Sequence, residues 1–532
     1  MGNSSLSRRT VLLAAGATVA VALPGKANAE TPAFAHGVAS GDPLPDSVLL
    51  WTRLTPSADA TPGSGLGPSA EVGWEVAADA GFRRVVACGR VCTGPDRDHT
   101  VKVSADGLRP STGYFYRFTF RGQSSPVGRT RTAPRHNAAV DRLRFGFVSC
   151  ANWHVGYFGA YRYLAEREDL DAVIHLGDYI YEMAGDATAL RQSLPPHELE
   201  TLADYRQRHA LYKTDPHVQR MHARHPMIAT WDDHEAADNA WSGGSTSHDP
   251  ATEGDWAVRK AAAHRAYFEW MPVRNAGERL YRRLRFGKLA DLTMLDLRSY
   301  RTEQPKAPGD NPEGTILGAE QREWFIDGLV HSHATWRLVG NSVMISPLKL
   351  PALPDPRAAT ALHTLLADQP RLPTADTDIW DGYLADRTRV LNTLDAHGIT
   401  DTVFLTGDIH TSWASNVPLD SGRSVATEFV CTSVTSDNFD ELFKVPPRTV
   451  SLAIEAELRK LNPHVQYVEL DSHGPCVLEV TPAATQVDWY YLLDKKNPDS
   501  ALRHGASYKT LLGDAHVQAT TPLDILDAIT PV

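Results

Sequence analysis

Four apolar runs, far apart along the chain, each stop on a side chain that binds metals. "FGFVSC" ends at Cys150, "VIHLGD" at Asp178, "MIATWDDHE" on Asp232, Asp233 and His234, and "VFLTGDIH" on Asp408 and His410. Short apolar runs of this kind predict strands buried on both faces. In an α/β sheet, functional side chains gather beyond the carboxyl ends of the strands. One acid after a strand is usually a helix cap or a turn residue. Four such endings predict a single pocket where the strands converge. A fifth strand-like run ends in "MLDLRSYR" and offers Arg298, either as a planar clamp for an oxyanion or as a salt-bridge partner of Asp296.

The donor types narrow the choice of metal. The thiol of Cys150 and the phenol of Tyr181, three residues after Asp178, become anionic donors suited to a strongly polarising ion such as Fe³⁺. Zinc accepts cysteine and histidine but seldom selects a phenolate. Asp232, Asp233 and Asp408 suit hard ions such as Ca²⁺, Mg²⁺ or Mn²⁺. Asp178, with two oxygens, is placed to bridge two ions. His234 is read either as a proton donor or phosphate contact, or as a holder of a neighbouring carboxylate.

Other chemistries find less support. No Gly-x-Ser-x-Gly elbow stands in a strand-to-helix context, and no glycine-rich phosphate loop occurs. A thiol nucleophile at Cys150 needs a basic loop after it, and "ANWHVGY" offers only His154.

Before the strand-end motifs the texture differs. "DSVLLWTRL", "AEVGWEVAAD", "RRVVACGRV", "HTVKVSADGL" and "GLRPSTGYFYRFTF" read as half-buried antiparallel strands, with Tyr114, Tyr116 and Phe118 on one face. This resembles a fibronectin- or immunoglobulin-like sandwich. From about residue 136 a β-α-β texture begins, with helical segments between the apolar strands. The segment 195–224 reads as a helical lid or insertion, and "PLKLPALPDPRAAT" as a proline-rich loop.

The amino terminus carries Arg8 and Arg9, an apolar run too short for a bilayer span, and "ANA" before Glu30. This predicts a twin-arginine export signal over 1–29, handled by the twin-arginine translocase, and a secreted, periplasmic or cell-wall protein. The mature chain offers no transmembrane segment. Loss of Arg8, Arg9 and Lys26 takes the formal charge from −11 to −14, which disfavours a nucleic-acid partner. Five cysteines, an odd number, exclude a disulfide scaffold and leave at least one thiol unpaired within the chain.

Taken together, "FVSCAN", "HLGDYIYE", "WDDHEAADN", "MLDLRSYR" and "LTGDIHTSW" resemble the PhoD family of alkaline phosphatases, among the metallophosphoesterases related to purple acid phosphatases. The resemblance implies an α/β catalytic domain over 136–532, a two-sheet sandwich flanked by helices, behind a small all-β domain over 30–135. It implies one Fe³⁺ and two Ca²⁺, with Zn²⁺ or Mn²⁺ less favoured. By matched motif, Cys150, Asp178, Tyr181 and His410 hold or flank the iron, and Asp178, Asp233 and Asp408 serve calcium with Asp232 beside them. Two departures from the wider superfamily add anionic donors: Cys150 replaces an Asp-x-His pair, and "DDHE" replaces Gly-Asn-His-Glu. The implied activity is hydrolysis of phosphate monoesters and diesters by attack of a metal-activated oxygen. His234 and Arg298 are then the catalytic candidates. Two alternatives remain: a phosphodiesterase or phospholipase D-like enzyme acting on phospholipid or teichoic-acid-like diesters, and a non-catalytic phosphate- or ligand-binding protein.

Overall fold

The structure is a computed structural model and describes residues 32–366 and 377–523, apart from 276 and 278. The expected export signal lies outside the described residues. The first strands are β1 (Val38–Gly41), β2 (Ser47–Arg53), β3 (Ala70–Ala77), β4 (Val85–Thr93), β5 (Thr100–Asp106), β6 (Gly113–Phe120), β7 (Gln123–Ser124) and β8 (Gly128–Arg131). Next come β9 (Leu143–Val148), β10 (Ala172–His175), β11 (Pro226–Ala229), β12 (Arg282–Phe286), β13 (Ala290–Met294), β14 (Trp336–Asn341) and β15 (Thr402–Thr406). The last are β16 (Ser412–Pro418), β17 (Ser424–Val430), β18 (Val465–Glu469), β19 (Cys476–Val480), β20 (Ala484–Leu492), β21 (Leu502–Leu511) and β22 (Val517–Ala519).

These strands form a ten-stranded sheet, β22-β21-β20-β19-β9-β10-β11-β1-β2-β5, and a seven-stranded sheet, β12-β13-β14-β15-β17-β16-β18. The inner strands β9, β10, β11 and β1 are parallel, as are β13, β14, β15 and β17. The two sheets face each other. Phe145, Phe147, Ile174, Leu176 and Ile228 of the first meet Leu292, Met294, Leu338, Leu405 and Phe429 of the second. The alternate residues Val173 and Met227 turn outward, where helices α1 (Gly159–Glu166), α2 (Leu202–Tyr212), α3 (Pro216–Arg224), α4 (Pro250–Glu253) and α5 (Trp256–Trp270) follow in chain order. All but the short, exposed α4 pack on that face. Over the second sheet lie α6 (Gly318–His331), α7 (Pro356–Leu366), α8 (Leu384–Ala396), α9 (Phe439–Phe443) and α10 (Ser451–Leu461). Burial on both faces is why these strands read as unbroken apolar runs rather than as alternation.

Two local expectations change. β2 was expected to be half-buried, yet all its residues are buried. Val48 and Leu50 face the sandwich core with Val72, Tyr116 and Phe118, while Trp51 packs on Ala210 and Trp270 behind the large sheet. Strands β1 and β2 thus serve two cores at once, and β1 pairs directly with β11 (Ser40 with Pro226, Gly41 with Met227). The proline-rich segment is not loop throughout. Pro356 opens α7, because a proline in the first helical turn gives up a hydrogen bond that the helix could not make there.

Candidate metal centre

The carboxyl ends of the parallel strands in both sheets open onto one pocket of about 380 Å³. The loops after β9 and β10 are laced by backbone bonds from Cys150 N–H to Gly177 O (3.2 Å) and from Ala151 N–H to Asp178 O (2.9 Å). Each strand must turn sharply to aim its last side chain inward. Cys150, Asp178, Asp408 and His410 all take left-handed backbone, with φ of 59°, 54°, 67° and 55°. Asp and His tolerate that region better than most residues, whereas a cysteine there is uncommon.

The structure brings the expected donors, together with the proton-donor candidate His234, into three overlapping groups: Cys150, Asp178 and His410; Asp178, Asp233 and His234; Asp232, Asp233 and Asp408. In each group one donor atom per residue lies within 4.8 Å of the others. Asp178 is shared by the first two groups and Asp233 by the last two. Tyr181 lies beside the first: its hydroxyl donates to Asp178 Oδ2 (3.0 Å), accepts from Ser436 Oγ (2.6 Å) and sits 3.3 Å from His410 Nε2. His410 turns Nδ1 to the carbonyl of Asp437 (2.9 Å), which leaves Nε2 for the pocket.

A test of whether cations fit comes from atoms left without partners. Asp178 Oδ1, Asp232 Oδ2 and Asp233 Oδ1 are buried and accept no hydrogen bond. A buried carboxylate costs several kcal/mol unless it is protonated or meets a cation, and Arg298 supplies only part of that charge, to Asp232 and Asp233. Burial, aided by neighbouring acids, pushes the carboxyls of Asp178 and Asp408 well above their ordinary range. Burial, then Asp178, does the same to the Cys150 thiol. Burial drops His410 to about 3, the neutral form a metal ligand needs. Hard oxygen donors, a thiol, a phenol and a neutral imidazole around such a gap fit the expected mixed metal set.

The structure places His234 over the pocket, its ring 4.1 Å from that of Tyr181. Nδ1 meets Glu182 Oε2 at 2.7 Å. Burial opposes the imidazolium, but Glu182, Asp233 and Asp178 outweigh it and raise His234 well above its ordinary value. Arg298 lies beneath the acids. Nε reaches Asp232 (2.5 Å), Nη1 and Nη2 both reach Asp378 (2.9 Å), and Nη2 stands 3.5 Å from Asp408 and 3.7 Å from Asp233. Its side chain does not pair with Asp296, which instead accepts the Arg298 backbone N–H (3.2 Å).

Four participants carried no strand-end signal. Glu235 ties two loops by accepting the N–H groups of Asp178 (3.0 Å), Tyr179 (2.5 Å) and Asp232 (2.7 Å), and burial lifts it to about 8. Glu182 holds His234 and the Asp238 N–H (2.7 Å). Ser436 holds the Tyr181 phenol, and Asp378 pairs with both Arg298 and Arg301 (2.6 Å). The first two acids do stand in the motifs "LGDYIYE" and "WDDHE", where an acid within a few residues of a donor is the signal that was available.

The segment 195–224 is not a lid. None of its residues lines the pocket; α2 and α3 pack behind the large sheet, and buried Arg208 reaches back to the carbonyls of Tyr181 and Met183. The start of the proline-rich segment also stays off the wall, to which Thr364, Leu365 and Leu366 at the end of α7 contribute instead.

A two-sheet α/β fold with donors at the strand ends is the architecture of a metallophosphoesterase. The family description for PhoD-like phosphatases matches residues 145–489, and that for the N-terminal domain of PhoD-like phosphatases matches 18–134. Alkaline phosphatase D of Bacillus subtilis (strain 168) is 36% identical over 514 residues, covering 92% of this chain and 83% of that protein. A solved structure described as that of PhoD superposes with a TM-score of 0.81 at 34% identity, over 94% of this chain and 95% of that one. The chain belongs to the PhoD-like phosphatase family and is a phosphatase. The non-catalytic alternative is set aside accordingly.

Proposed function

We propose that the protein is an exported, metal-dependent phosphatase that cleaves phosphate monoesters and diesters at this pocket. The observation that carries the reading is the set of three overlapping donor groups, with buried carboxylate oxygens left unpaired where they meet. Cys150, Asp178, Tyr181 and His410 hold Fe³⁺. Asp178, Asp233, Asp408 and Asp232 serve two Ca²⁺. Bound cations supply Lewis-acid charge to the phosphoryl group and acidify water. His234, aimed by Glu182, delivers a proton to the leaving oxygen from Nε2. Arg298 spends its donors on Asp232 and Asp378, so it acts as the cation that spaces the acids rather than as a free clamp on phosphate. The twin-arginine signal carries the export reading, and release of the mature chain into the medium or cell wall tests it.

The diesterase reading gains support from the pocket wall. Met183, Leu365, Leu366 and Leu442 give it an apolar side, and the described lining contains Asp238 and Asp437 but neither lysine nor arginine. An apolar or neutral second ester arm suits such a wall, and a polyanion does not. Comparing kcat/KM for p-nitrophenyl phosphate, bis-p-nitrophenyl phosphate and a nucleoside triphosphate on metal-loaded protein tests both readings. Turnover of the first two and poor use of the third is expected. A strong preference for the triphosphate contradicts the wall argument, and no turnover of any ester contradicts the site.

A further inference from the structure

Strand β4 ends the five-stranded sheet β4-β3-β6-β7, in which β8 also pairs with β6, and among the described strands only β3 pairs with β4. Its other edge has no ladder partner, the feature that recruits a second strand, although β5 packs close by and Thr93 Oγ1 at the strand end donates to the Thr100 carbonyl (2.7 Å). Val85 and Val86 at its start are exposed apolar groups (41% and 46%). Cys88, Arg90 and Cys92 alternate onto its exposed face, and both cysteines are free. Four residues apart on one strand, their Cα atoms are separated by roughly 13 Å. A disulfide needs Cα atoms within about 7 Å, so the two cannot bridge within one chain. The other three cysteines are buried, out of reach of a partner.

The spacing has a symmetry consequence. If two copies of β4 pair antiparallel about a two-fold axis at Arg90, Cys88 lies directly opposite Cys92 of the partner subunit, and Cys92 opposite Cys88 of the partner subunit. Directly opposed residues in an antiparallel pair have Cα atoms about 4.5–5.5 Å apart, inside the disulfide range. In the same register Gly89 faces Val91 of the partner subunit, so a residue without a side chain meets a β-branched one. Arg90 meets its own copy, but each arginine carries its counter-charge: Nη1 lies 2.9 Å from Glu71 Oε1 on β3. We propose that β4 is a homodimer interface, closed by two reciprocal Cys88–Cys92 disulfides when the protein meets a disulfide oxidant.

The oxidant is a low-molecular-weight disulfide or an exchange catalyst of that class. The thiolate of Cys88 attacks the reagent disulfide, forms a mixed disulfide and expels one reagent thiolate. The thiolate of Cys92 of the partner subunit then attacks the protein sulfur and expels the second. Two protein thiols become one disulfide, and the reagent disulfide becomes two thiols. Nothing in the metal pocket takes part, since neither cysteine lines it.

The test uses the metal-loaded mature chain incubated with oxidised glutathione, followed by light-scattering chromatography, a non-reducing gel and mass mapping of cross-linked peptides. A species of twice the chain mass, reversed by dithiothreitol and carrying a Cys88-to-Cys92 cross-link, is expected, with kcat/KM unchanged within about twofold. Cys88→Ser and Cys92→Ser should each abolish the covalent dimer, because the register sets every remaining cysteine opposite a serine. The phosphatase activity of both variants reports that they fold. A chain that stays monomeric under the oxidant overturns the proposal. So do single variants that still cross-link, or Cys88–Cys88 and Cys92–Cys92 links, since those mark unregistered oxidation of surface thiols.

Discussion

At the scale of single residues, what matters is which atoms are left over once each side chain has met its protein partners. His234 uses Nδ1 on Glu182, so Nε2, 4.0 Å from Asp238 Oδ1, is the nitrogen that can face an ester oxygen. His234→Gln is expected to lower kcat about 10²–10⁴-fold for alkyl phosphates, the usual worth of a placed acid. The loss should be much smaller for p-nitrophenyl phosphate, whose leaving group needs no proton. An equal loss for both esters contradicts the assignment. Glu182→Gln keeps the shape but removes the charge that holds the imidazolium, and a loss of about 10–100-fold on alkyl esters checks it. A second residue-scale effect lies away from the pocket. Lys213 is fully buried between Tyr179 Oη (3.2 Å) and His222 (3.1 Å), and burial lowers its ammonium to about 7. Because its ordinary value is 10.5, the unfolded chain binds more protons than the native one between about pH 7 and 10.5. This group therefore adds stability as pH rises through that window. Denaturant unfolding of Lys213→Met should lose part of that rise, and an unchanged pH slope speaks against it. The cysteine, histidine and strand-end acids were legible from sequence because each ends a recognisable run, and Tyr181 because it follows such an end by three residues. Asp378 was not: it follows no strand, and only the folded chain brings it to Arg298.

At the scale of elements, strand ends place the donors and close backbone contacts hold those ends together. Gly177 has φ of +115°, and a Cβ there would lie 2.5 Å from Asp232 Cβ and 2.7 Å from the Asp232 nitrogen. Gly177→Ala must part the loops after β10 and β11. It should cost on the order of 1–3 kcal/mol in unfolding free energy and weaken metal retention on dialysis. Wild-type stability and metal content in this variant contradict the argument. Most inner parallel strands and most helices could be read from apolar periodicity, but β1, β12, β16, β18, β21 and β22 were not. Helices α2 and α3 could be read as helices but not placed. Whether a helix covers a pocket or buttresses a sheet depends on contacts such as Arg208 with the Tyr181 carbonyl, which no local pattern encodes. The same holds for α7, whose start was hidden among prolines and whose last residues form the pocket wall.

At the scale of the whole molecule, the amino-terminal strands are not an appendage. β1 extends the large sheet beside β11, and Asp42 just after it grips Arg282 at 2.6 and 2.8 Å and accepts the Arg274 N–H (2.5 Å). The sequence reading of a sandwich ahead of an α/β unit anticipated the strands but not that one layer of the sandwich continues the other sheet. Pairing of β1 with β11 is a contact between residues nearly two hundred positions apart, beyond any local signal. A chain starting at residue 136 should therefore be insoluble or lack cooperative unfolding by circular dichroism. A soluble, cooperatively folding and active truncation contradicts this. The central claim, that donors from both sheets meet as a cation-binding hydrolytic centre, is tested most directly by elemental analysis with visible absorption on the purified enzyme and its Tyr181→Phe variant. The account predicts iron and calcium bound to active wild type, with a visible band that weakens or shifts in the variant together with activity. A colourless, iron-free and fully active enzyme, unchanged by the substitution, would contradict it.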